Sequence, residues 1–377
     1  MLSSKLGTAQ LNGRWSWLIC VFVILTVSCG SVSPAGDRAS DSVSMWDRSG
    51  AMLPAGDRTA LNAGGFGWIL THESVSGELD LAKVSLVTGD LIGNYRIDPS
   101  AQSYSGSGLT ADGLGHIWIT YENQIVELDE STGTLHTWTI PSLGLAVPTN
   151  AQLAGNAQAS VWISGQLFFV RNDDERVYSF NPGTSLFHVV AILPITTSYI
   201  SSIASGQDEV AVSGSLTDSA TFVPATAALT ISTGKVTLRI GAAVVCARPS
   251  GLTFIGTAGT VTRDDNTLIA ALPPHTDTHF PFTCDSRDEV FQVTFSLGSL
   301  VVSRLANSGA VLAVTDVLKP IVVHGFAGPV STYADPNIQQ VVPDEEGGVW
   351  LVSALGVSSS SSASPVYPSL THVIFPV

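Results

Sequence analysis

Residues 109–141 carry the pattern that most restricts how this chain can fold. Three runs of alternating polarity, rich in β-branched and aromatic residues, follow Asp112-Gly113, and Ser131-Thr132-Gly133 lies between the last two. Glycine at such positions supplies the positive φ that tight turns between strands require. Together with the short run before Asp112, the segment predicts four antiparallel strands within about 33 residues.

Weaker copies of this unit recur along the chain, and one large apolar residue per copy, predicted on the second strand, marks each of them. These anchor residues are Trp68, Trp118, Trp162, Val212, Phe254, Phe291 and Trp350, spaced between 37 and 59 residues apart. Such spacing is typical of the four-stranded blades of a β-propeller. No stretch shows a sustained helical period, and Gly and Pro recur throughout. The sequence therefore predicts an all-β fold, a seven-bladed β-propeller of four-stranded antiparallel blades.

The second and the last unit resemble a known repeat family. Ala111-Asp-Gly-x-Gly-x-Ile-Trp118-Ile-Thr is followed by Ile125-Val-x-Leu-Asp-x-x-Thr-Gly133, and Val342-Pro-Asp-Glu-Glu-Gly-Gly-Val-Trp350 repeats the first motif. These phrases resemble the blades of virginiamycin B (streptogramin) lyase and NHL-type propellers. Lyases of that type use histidines and a glutamate near the propeller axis with a magnesium ion, but no residue of this chain is matched to those positions. Because the motifs are scaffold signatures, the resemblance implies a fold and says little about activity.

The first 28 residues have the composition of an export signal. Lys5 and Arg14 form a positive region, and Trp15–Val27 is an apolar run too short for a comfortable membrane span. Small Ser28 precedes Cys29, as in the signals of bacterial lipoproteins, although Thr26 stands where Leu is usual. We therefore expect a lipoprotein signal over residues 1–28 and lipid on Cys29. Ordinary secretory cleavage, or retention of the run as a membrane anchor, is the alternative.

The composition after the signal indicates a tether followed by an acidic globular domain. Residues 29–44 are rich in Ser, Gly, Ala and Asp and are expected to form a flexible tether, and residues 45–377 to form the propeller. The formal charge of the chain is −15, and removing Lys5 and Arg14 with the signal leaves −17. An acidic surface argues against binding to nucleic acid and against electrostatic attachment to anionic lipid.

Two of the four cysteines stay available for a disulfide after export. Cys20 leaves with the signal, Cys29 takes the lipid, and Cys246 and Cys284 remain in an oxidising compartment. They precede the anchors of blades five and six by eight and seven residues, which places both on the innermost strands of neighbouring blades. A disulfide between them is expected, with two independent buried thiols as the alternative.

The order of strands decides which loops share a face of the propeller. We name the strands of a blade a to d from the axis outward. The a–b and c–d turns then lie on one face, here called the turn face, and the b–c and d–a connections on the other, here called the loop-rich face. Long irregular segments, among them residues 98–106, 141–150 and 319–337, fall on the loop-rich face, where a small-molecule or protein partner is expected.

One polar cluster on the loop-rich face has the residue types of a metal site. His275, Asp277 and His279 alternate along one loop, so two imidazoles and a carboxylate could reach one divalent metal ion. Tyr121 and Glu122 in the b–c turn of blade two are further candidate ligand-binding groups. A solvated loop without an ion is the alternative interpretation. His116 and His136 are interpreted as surface residues.

The sequence thus predicts a ligand-binding or protein-interaction module, exported and lipid-anchored on the outer side of a bacterial cell membrane. A metal-assisted lyase or hydrolase with its site on the loop-rich face is the alternative, and a structural partner in an envelope complex is a third. No nucleophile elbow, phosphate loop or dinucleotide fingerprint occurs in the sequence. Blade seven lacks an outer strand, and residues 45–53 are expected to supply it and close the ring.

Overall fold

The computed structural model describes the strands and turns of the propeller. The described residues are 43–45, 56–73, 78–99, 101, 107–141, 157–171, 175–196, 202–216, 223–248, 251–256, 260–264, 267–271, 282–296, 299–306, 311–316, 338–353 and 370–375. Within these ranges, no helix has the length and apolar character needed to span a membrane.

The first four blades follow one another along the chain, each with its strands in the order a to d. Blade 1 contains β2 (Gly56–Ala63), β3 (Phe66–Glu73), β4 (Leu79–Ser85) and β5 (Leu91–Asp98). Blade 2 contains β6 (Ser107–Ala111), β7 (His116–Tyr121), β8 (Gln124–Asp129) and β9 (Thr134–Thr139). Blade 3 contains β10 (Ala157–Ile163), β11 (Gln166–Arg171), β12 (Arg176–Asn181) and β13 (Leu186–Ile192). Blade 4 contains β15 (Ser202–Ser205), β16 (Glu209–Leu216), β17 (Pro224–Thr230) and β18 (Lys235–Ile240), with the short β14 (Ile195–Thr196) also paired to β16.

The last three blades complete the ring. Blade 5 contains β19 (Ala242–Arg248), β20 (Gly251–Gly256), β21 (Thr260–Arg263) and β22 (Leu268–Ala271). Blade 6 contains β23 (Phe282–Cys284), β24 (Val290–Ser296), β25 (Ser299–Leu305) and β26 (Val311–Asp316). Blade 7 contains β27 (Ile338–Pro343), β28 (Val349–Ser353), β29 (Leu370–Val373) and, as its outer strand, β1 (Val43–Met45). The predicted seven-bladed, all-antiparallel architecture is confirmed.

Pairing of the two ends of the chain closes the ring. Val43 pairs with Val373 and Met45 with Thr371, so β1 supplies the strand that blade 7 lacks. The closure is as predicted, but the strand begins earlier than expected. Of the predicted segment only Met45 is in the described strand, and residues 46–53 lie outside the described residues. Closing the sheet in this way covers an edge that would otherwise pair with other chains.

Six of the seven predicted anchors lie on strand b, as expected, and are buried between neighbouring sheets. The placement of Trp162 was wrong, because it lies on the inner strand β10. The buried strand-b residue of blade 3 that corresponds to Trp118, three residues after the turn glycine, is Phe168. Trp162 instead stacks on Trp118 of blade 2, with 5.0 Å between ring centroids. A two-residue turn at 164–165 joins β10 to β11, and both strands carry aromatic residues close to it. The spacing pattern therefore fits either strand.

Each junction between neighbouring blades has its own tie, which for blades 2 and 3 is the Trp118–Trp162 stack. Cys246 on β19 and Cys284 on β23 are joined by a disulfide whose Cα atoms are 5.8 Å apart, and both strands are the predicted inner ones. An ion pair between Lys83 and Glu130 joins blades 1 and 2, and an apolar cluster fills the junction of blades 3 and 4. Hydrogen bonds join three further pairs of blades: Arg239 donates to the Arg263 carbonyl, Ser286 N–H to Glu345, and Asn62 to the Pro343 carbonyl. Ties of this kind link neighbouring blades around the ring.

Candidate functional site: the two faces of the propeller

The two faces differ in the length of their connections. On the turn face, the a–b and c–d connections contain two to five residues, from two at 64–65 to five at 344–348. On the loop-rich face, the connections after β9, β26 and β28 cover residues 140–156, 317–337 and 354–369. Short turns cannot enclose a ligand, whereas long connections can. The loop-rich face is therefore the candidate site.

Several of the predicted site residues lie outside the described residues. His275, Asp277 and His279 belong to the connection between β22 and β23, and Cys29 precedes the first described strand. Their roles as metal ligands and as the lipidated residue stay predictions. Within the ranges that the structure describes, no three His, Cys, Asp or Glu side chains are grouped so as to hold a metal ion.

Tyr121 and Glu122 lie at the end of β7, on the loop-rich face. The Tyr121 side chain is buried, and its hydroxyl lies 3.0 Å from Gln124 Oε1 and 3.3 Å from Asp98 Oδ2. Burial raises the pKa of the phenol, and the nearby Asp98 and Glu122 carboxylates raise it further. Glu122 adopts a positive φ of 47° in the two-residue turn to β8. In this arrangement Tyr121 ties the turn of blade 2 to the last residue of β5, in blade 1.

The turn face carries a repeated aspartate that sequence analysis did not single out. Asp112, Asp285 and Asp344 each lie six residues before the anchor of their blade, at the start of an a–b turn. In each, Oδ1 accepts hydrogen bonds from the backbone N–H groups two and four residues later. In each, Oδ2 accepts a bond from a basic side chain, which is His116, Arg287 or His372. The recurring Asp-to-anchor spacing is the sequence signal that identifies these residues.

His116 lies between two carboxylates in blade 2. Its Nδ1 donates to Asp112 Oδ2 at 2.6 Å, and its Nε2 lies 3.6 Å from Glu127 Oε1. Partial burial lowers the pKa of the imidazole, but the hydrogen bond and charge of Asp112 outweigh it, so the pKa is raised. Burial raises the pKa of Glu127. His116 is thus part of a coupled acid–base cluster rather than an isolated surface residue.

Blade 7 contains the counterpart of this cluster. His372 Nε2 donates to Asp344 Oδ2 at 2.8 Å, and the imidazole stacks on Trp350 with 3.9 Å between ring centroids. Burial raises the pKa of Asp344, but the hydrogen bonds from His372 and from backbone N–H groups outweigh it and lower the pKa.

Recurrence of the same contacts in three blades indicates their role. A catalytic acid–base pair is needed at one place in a molecule, whereas the aspartate with its basic partner occurs in blades 2, 6 and 7. Each set satisfies the backbone of a turn and neutralises a partly buried carboxylate. The clusters therefore stabilise the turn face.

Comparisons with known proteins agree with the fold. No protein-family model matches the chain, and no curated protein matches it. Among solved structures, the β-propeller domain of Myceliophteria thermophila Cps50 (Swd1) is 9% identical, with a TM-score of 0.53 over 86% of this chain and 98% of that one. Kuenenia stuttgartiensis hydrazine synthase is 11% identical, with a TM-score of 0.51 over 81% of this chain and 96% of the other. At these identities the similarity shows the fold alone: the chain is a β-propeller, an architecture suited to binding and interaction.

Proposed function

We propose that this protein is an exported, lipid-anchored β-propeller that binds a ligand or an envelope protein through its loop-rich face. The observation that carries the proposal is the difference between the faces, with connections of two to five residues on one and up to 21 residues, at 317–337, on the other. A rigid ring with variable loops at one end is the usual arrangement of a recognition scaffold.

The state of the polar groups on the turn face supports this assignment. Asp112, Asp285 and Asp344 have both carboxylate oxygens engaged in hydrogen bonds within the protein. Binding a ligand there would require breaking these bonds, each worth about 1 kcal/mol net and more where a charge is involved. These internal hydrogen bonds therefore leave the three aspartates of the turn face poorly available to a ligand.

The export and anchoring part of the proposal rests on the N-terminal sequence. Lys5, Arg14, the apolar run 15–27 and the Ser28-Cys29 pair match a lipoprotein signal. The intact mass of the mature protein tests this directly. We expect it to begin at Cys29 and to carry acyl chains, and the Cys29→Ser variant to carry none. A mature chain that begins elsewhere, or lacks acyl chains, would contradict the anchoring.

Photo-crosslinking in whole cells tests which face binds. A benzophenone amino acid replaces either Asn123, exposed on the loop-rich face, or Leu114, which is 79% exposed on the turn face. The two positions flank the same strand, β7, so they form a matched pair. We expect adducts at Asn123 and not at Leu114, and the adduct mass distinguishes a small molecule from a protein. Adducts confined to Leu114, or none at either position, would overturn the assignment.

The sequence resemblance to virginiamycin B lyase-type blades supports an enzymatic alternative, a metal-assisted lyase or hydrolase on the same face. Its candidate ligands are His275, Asp277 and His279. The test is a calorimetric titration with Mg²⁺ and with Zn²⁺. It compares the unmodified protein with the His275→Ala/His279→Ala double variant. A matched control replaces His136 and His188, which are exposed on outer strands. Metal binding lost only in the first double variant would favour the enzyme, and equal binding in all three proteins would remove it.

A further inference from the structure

The register of blade 7 fixes the end of the propeller at which the N-terminal strand begins. Pro343 pairs with Val349, Val349 with Val373, and Val373 with Val43. Pro343 and Val349 flank the a–b turn at 344–348, so this row of residues lies beside the turn face. Val43, the first residue of β1, is therefore at the turn face, and β1 runs from there towards the loop-rich face.

The length of chain before β1 limits how far that end can lie from the lipid. Thirteen residues, 30–42, separate Cys29 from Val43. Fully extended, this length spans at most about 50 Å, and an unstructured chain of the same length averages about 20 Å. Strand β7, with six residues, is itself about 20 Å long. The average length of the tether is thus about the depth of the propeller, so the end at which the tether attaches lies nearer the lipid on average.

We propose that, once Cys29 is lipidated, the turn face is the side nearest the membrane and the loop-rich face points away from it. This inference rests on the lipid anchor of the proposed function. It also restricts the partner: the recognition loops meet a water-borne ligand, or a domain that projects from an opposing surface, rather than the lipid to which the protein is attached.

The charge of the turn face determines how the propeller sits above the lipid. Exposed carboxylates on this face belong to Asp90, Asp208, Asp264, Glu345 and Glu346. Lys235 and Arg287 are the exposed basic residues in or next to the described turns. Anionic headgroups repel such a surface within a Debye length, about 8 Å at physiological salt. The propeller is therefore held near the membrane by its tether and does not rest on the lipid.

Fluorescence quenching by labelled lipid measures the orientation. The mature, acylated chain is reconstituted into phosphatidylcholine vesicles that contain a trace of headgroup-labelled acceptor lipid. A donor is placed through a non-natural amino acid at Leu114 or at Asn123, which leaves the native cysteines untouched. Since about 20 Å separate the ends of β7, we expect acceptor quenching at Leu114 to be about twofold or more that at Asn123.

Two controls separate failure of this inference from failure of the anchor. Flotation with the vesicles, and its loss in Cys29→Ser, reports the anchor by itself. A second copy of residues 30–42 inserted into the tether leaves the propeller unchanged, and should reduce the quenching at Leu114 and the difference between the positions. A chain that floats but is quenched equally, or more at Asn123, would overturn the orientation while the anchor stands. A chain that does not float would overturn both.

Discussion

The a–b turns of blades 2 and 7 contain the same aspartate but fill its second oxygen from different strands. In blade 2 the donor is His116, four residues after Asp112 and on the turn side of β7. In blade 7 the donor is His372, which lies on β29 opposite the anchor Trp350. The position four residues after Asp344 is Gly348, and the position opposite Trp118 is Glu127. The histidine has thus changed strand while the carboxylate keeps a basic partner.

The two turns therefore share a hydrogen bond from a basic side chain to the second oxygen of the aspartate. They do not share the position in the repeat from which that side chain comes. A Cβ added to Gly348 would overlap with the Asp344 carboxylate and the Val373 carbonyl oxygen. A side chain at that position is therefore incompatible with a donor that arrives from β29. In blade 2 the residue four positions after the aspartate is His116, and it is itself the donor. The position opposite Trp118 therefore needs no donor and carries Glu127.

Removing the anchors should have the largest effect and should distinguish the two blades. Trp118 stacks with both Trp138 and Trp162, whereas Trp350 stacks with His372. Replacement of a buried Trp by Ala costs roughly 3–5 kcal/mol of unfolding free energy. We expect Trp118→Ala to fall at the upper end and Trp350→Ala at the lower, measured by urea unfolding. The reverse order would mean that aromatic contacts between blades 2 and 3 contribute less than the single stacked imidazole.

Glycine substitutions in the two turns should separate lack of space from backbone strain. Gly348→Ala puts a methyl group against backbone and carboxylate, and overpacking of this kind costs roughly 1–3 kcal/mol. Gly113 has a φ of 74°, and a Cβ there meets nothing within 4 Å. Gly113→Ala should therefore cost only the left-handed conformation of an L-residue, about 1 kcal/mol. Equal costs in denaturant unfolding would show that Gly348 is not fixed by the donor from β29.

Replacing the two histidines tests the contact itself. His372 is almost fully buried, so His372→Ala leaves the Asp344 carboxylate without its donor and should cost about 1–3 kcal/mol. The His116 side chain is 33% exposed, and water can replace it, so His116→Ala should cost less than about 1 kcal/mol. Glutamine retains a donor group and should recover part of the loss in His372→Gln. Equal losses for the Ala and Gln variants of His372 would assign the stability to stacking on Trp350 instead.

The fold was predictable because its determinants are local and repeated. Turn glycines and buried anchors recur in nearly every blade, so an error in one unit, as with Trp162 and Phe168, does not change the number of blades. The lack of an outer strand in blade 7 likewise predicted a strand from the N-terminal region. It did not predict the residues at which that strand begins and ends. Such features depend on the period of the pattern, which a single sequence displays.

The polar clusters were harder to predict because each is assembled from different strands. Asp112 and His116 lie four residues apart, and their pairing follows from the turn, but Asp344 and His372 are 28 residues apart. Nothing in the sequence of β29 indicates that His372 reaches the turn before β28. For the loop-rich face, the residues that would form the site belong to connections of irregular length, where periodicity gives no register.

The smallest expected effect is a difference in pH dependence caused by His116. Asp112 raises the pKa of this imidazole above its ordinary value of 6.5 in spite of partial burial. A raised pKa in the folded state contributes stability that is fully present below pH 6.5 and is lost as the pH rises through the folded pKa.

The groups that face the imidazole are Asp112, Glu127 and Asp129, with His136 beside Glu127. The pKa values of Asp112 and Asp129 are lowered, so these two carboxylates stay ionised between about pH 6 and pH 8.5. Partial exposure of the imidazole limits the effect to less than about 1 kcal/mol. Urea unfolding of the wild type and of His116→Gln between about pH 6 and pH 8.5 measures the contribution of this imidazole to the free energy of unfolding. We expect the stability advantage of the wild type to shrink as the pH rises and then to level off. An advantage that stays constant over this range would show that the imidazole acts as a neutral donor in blade 2.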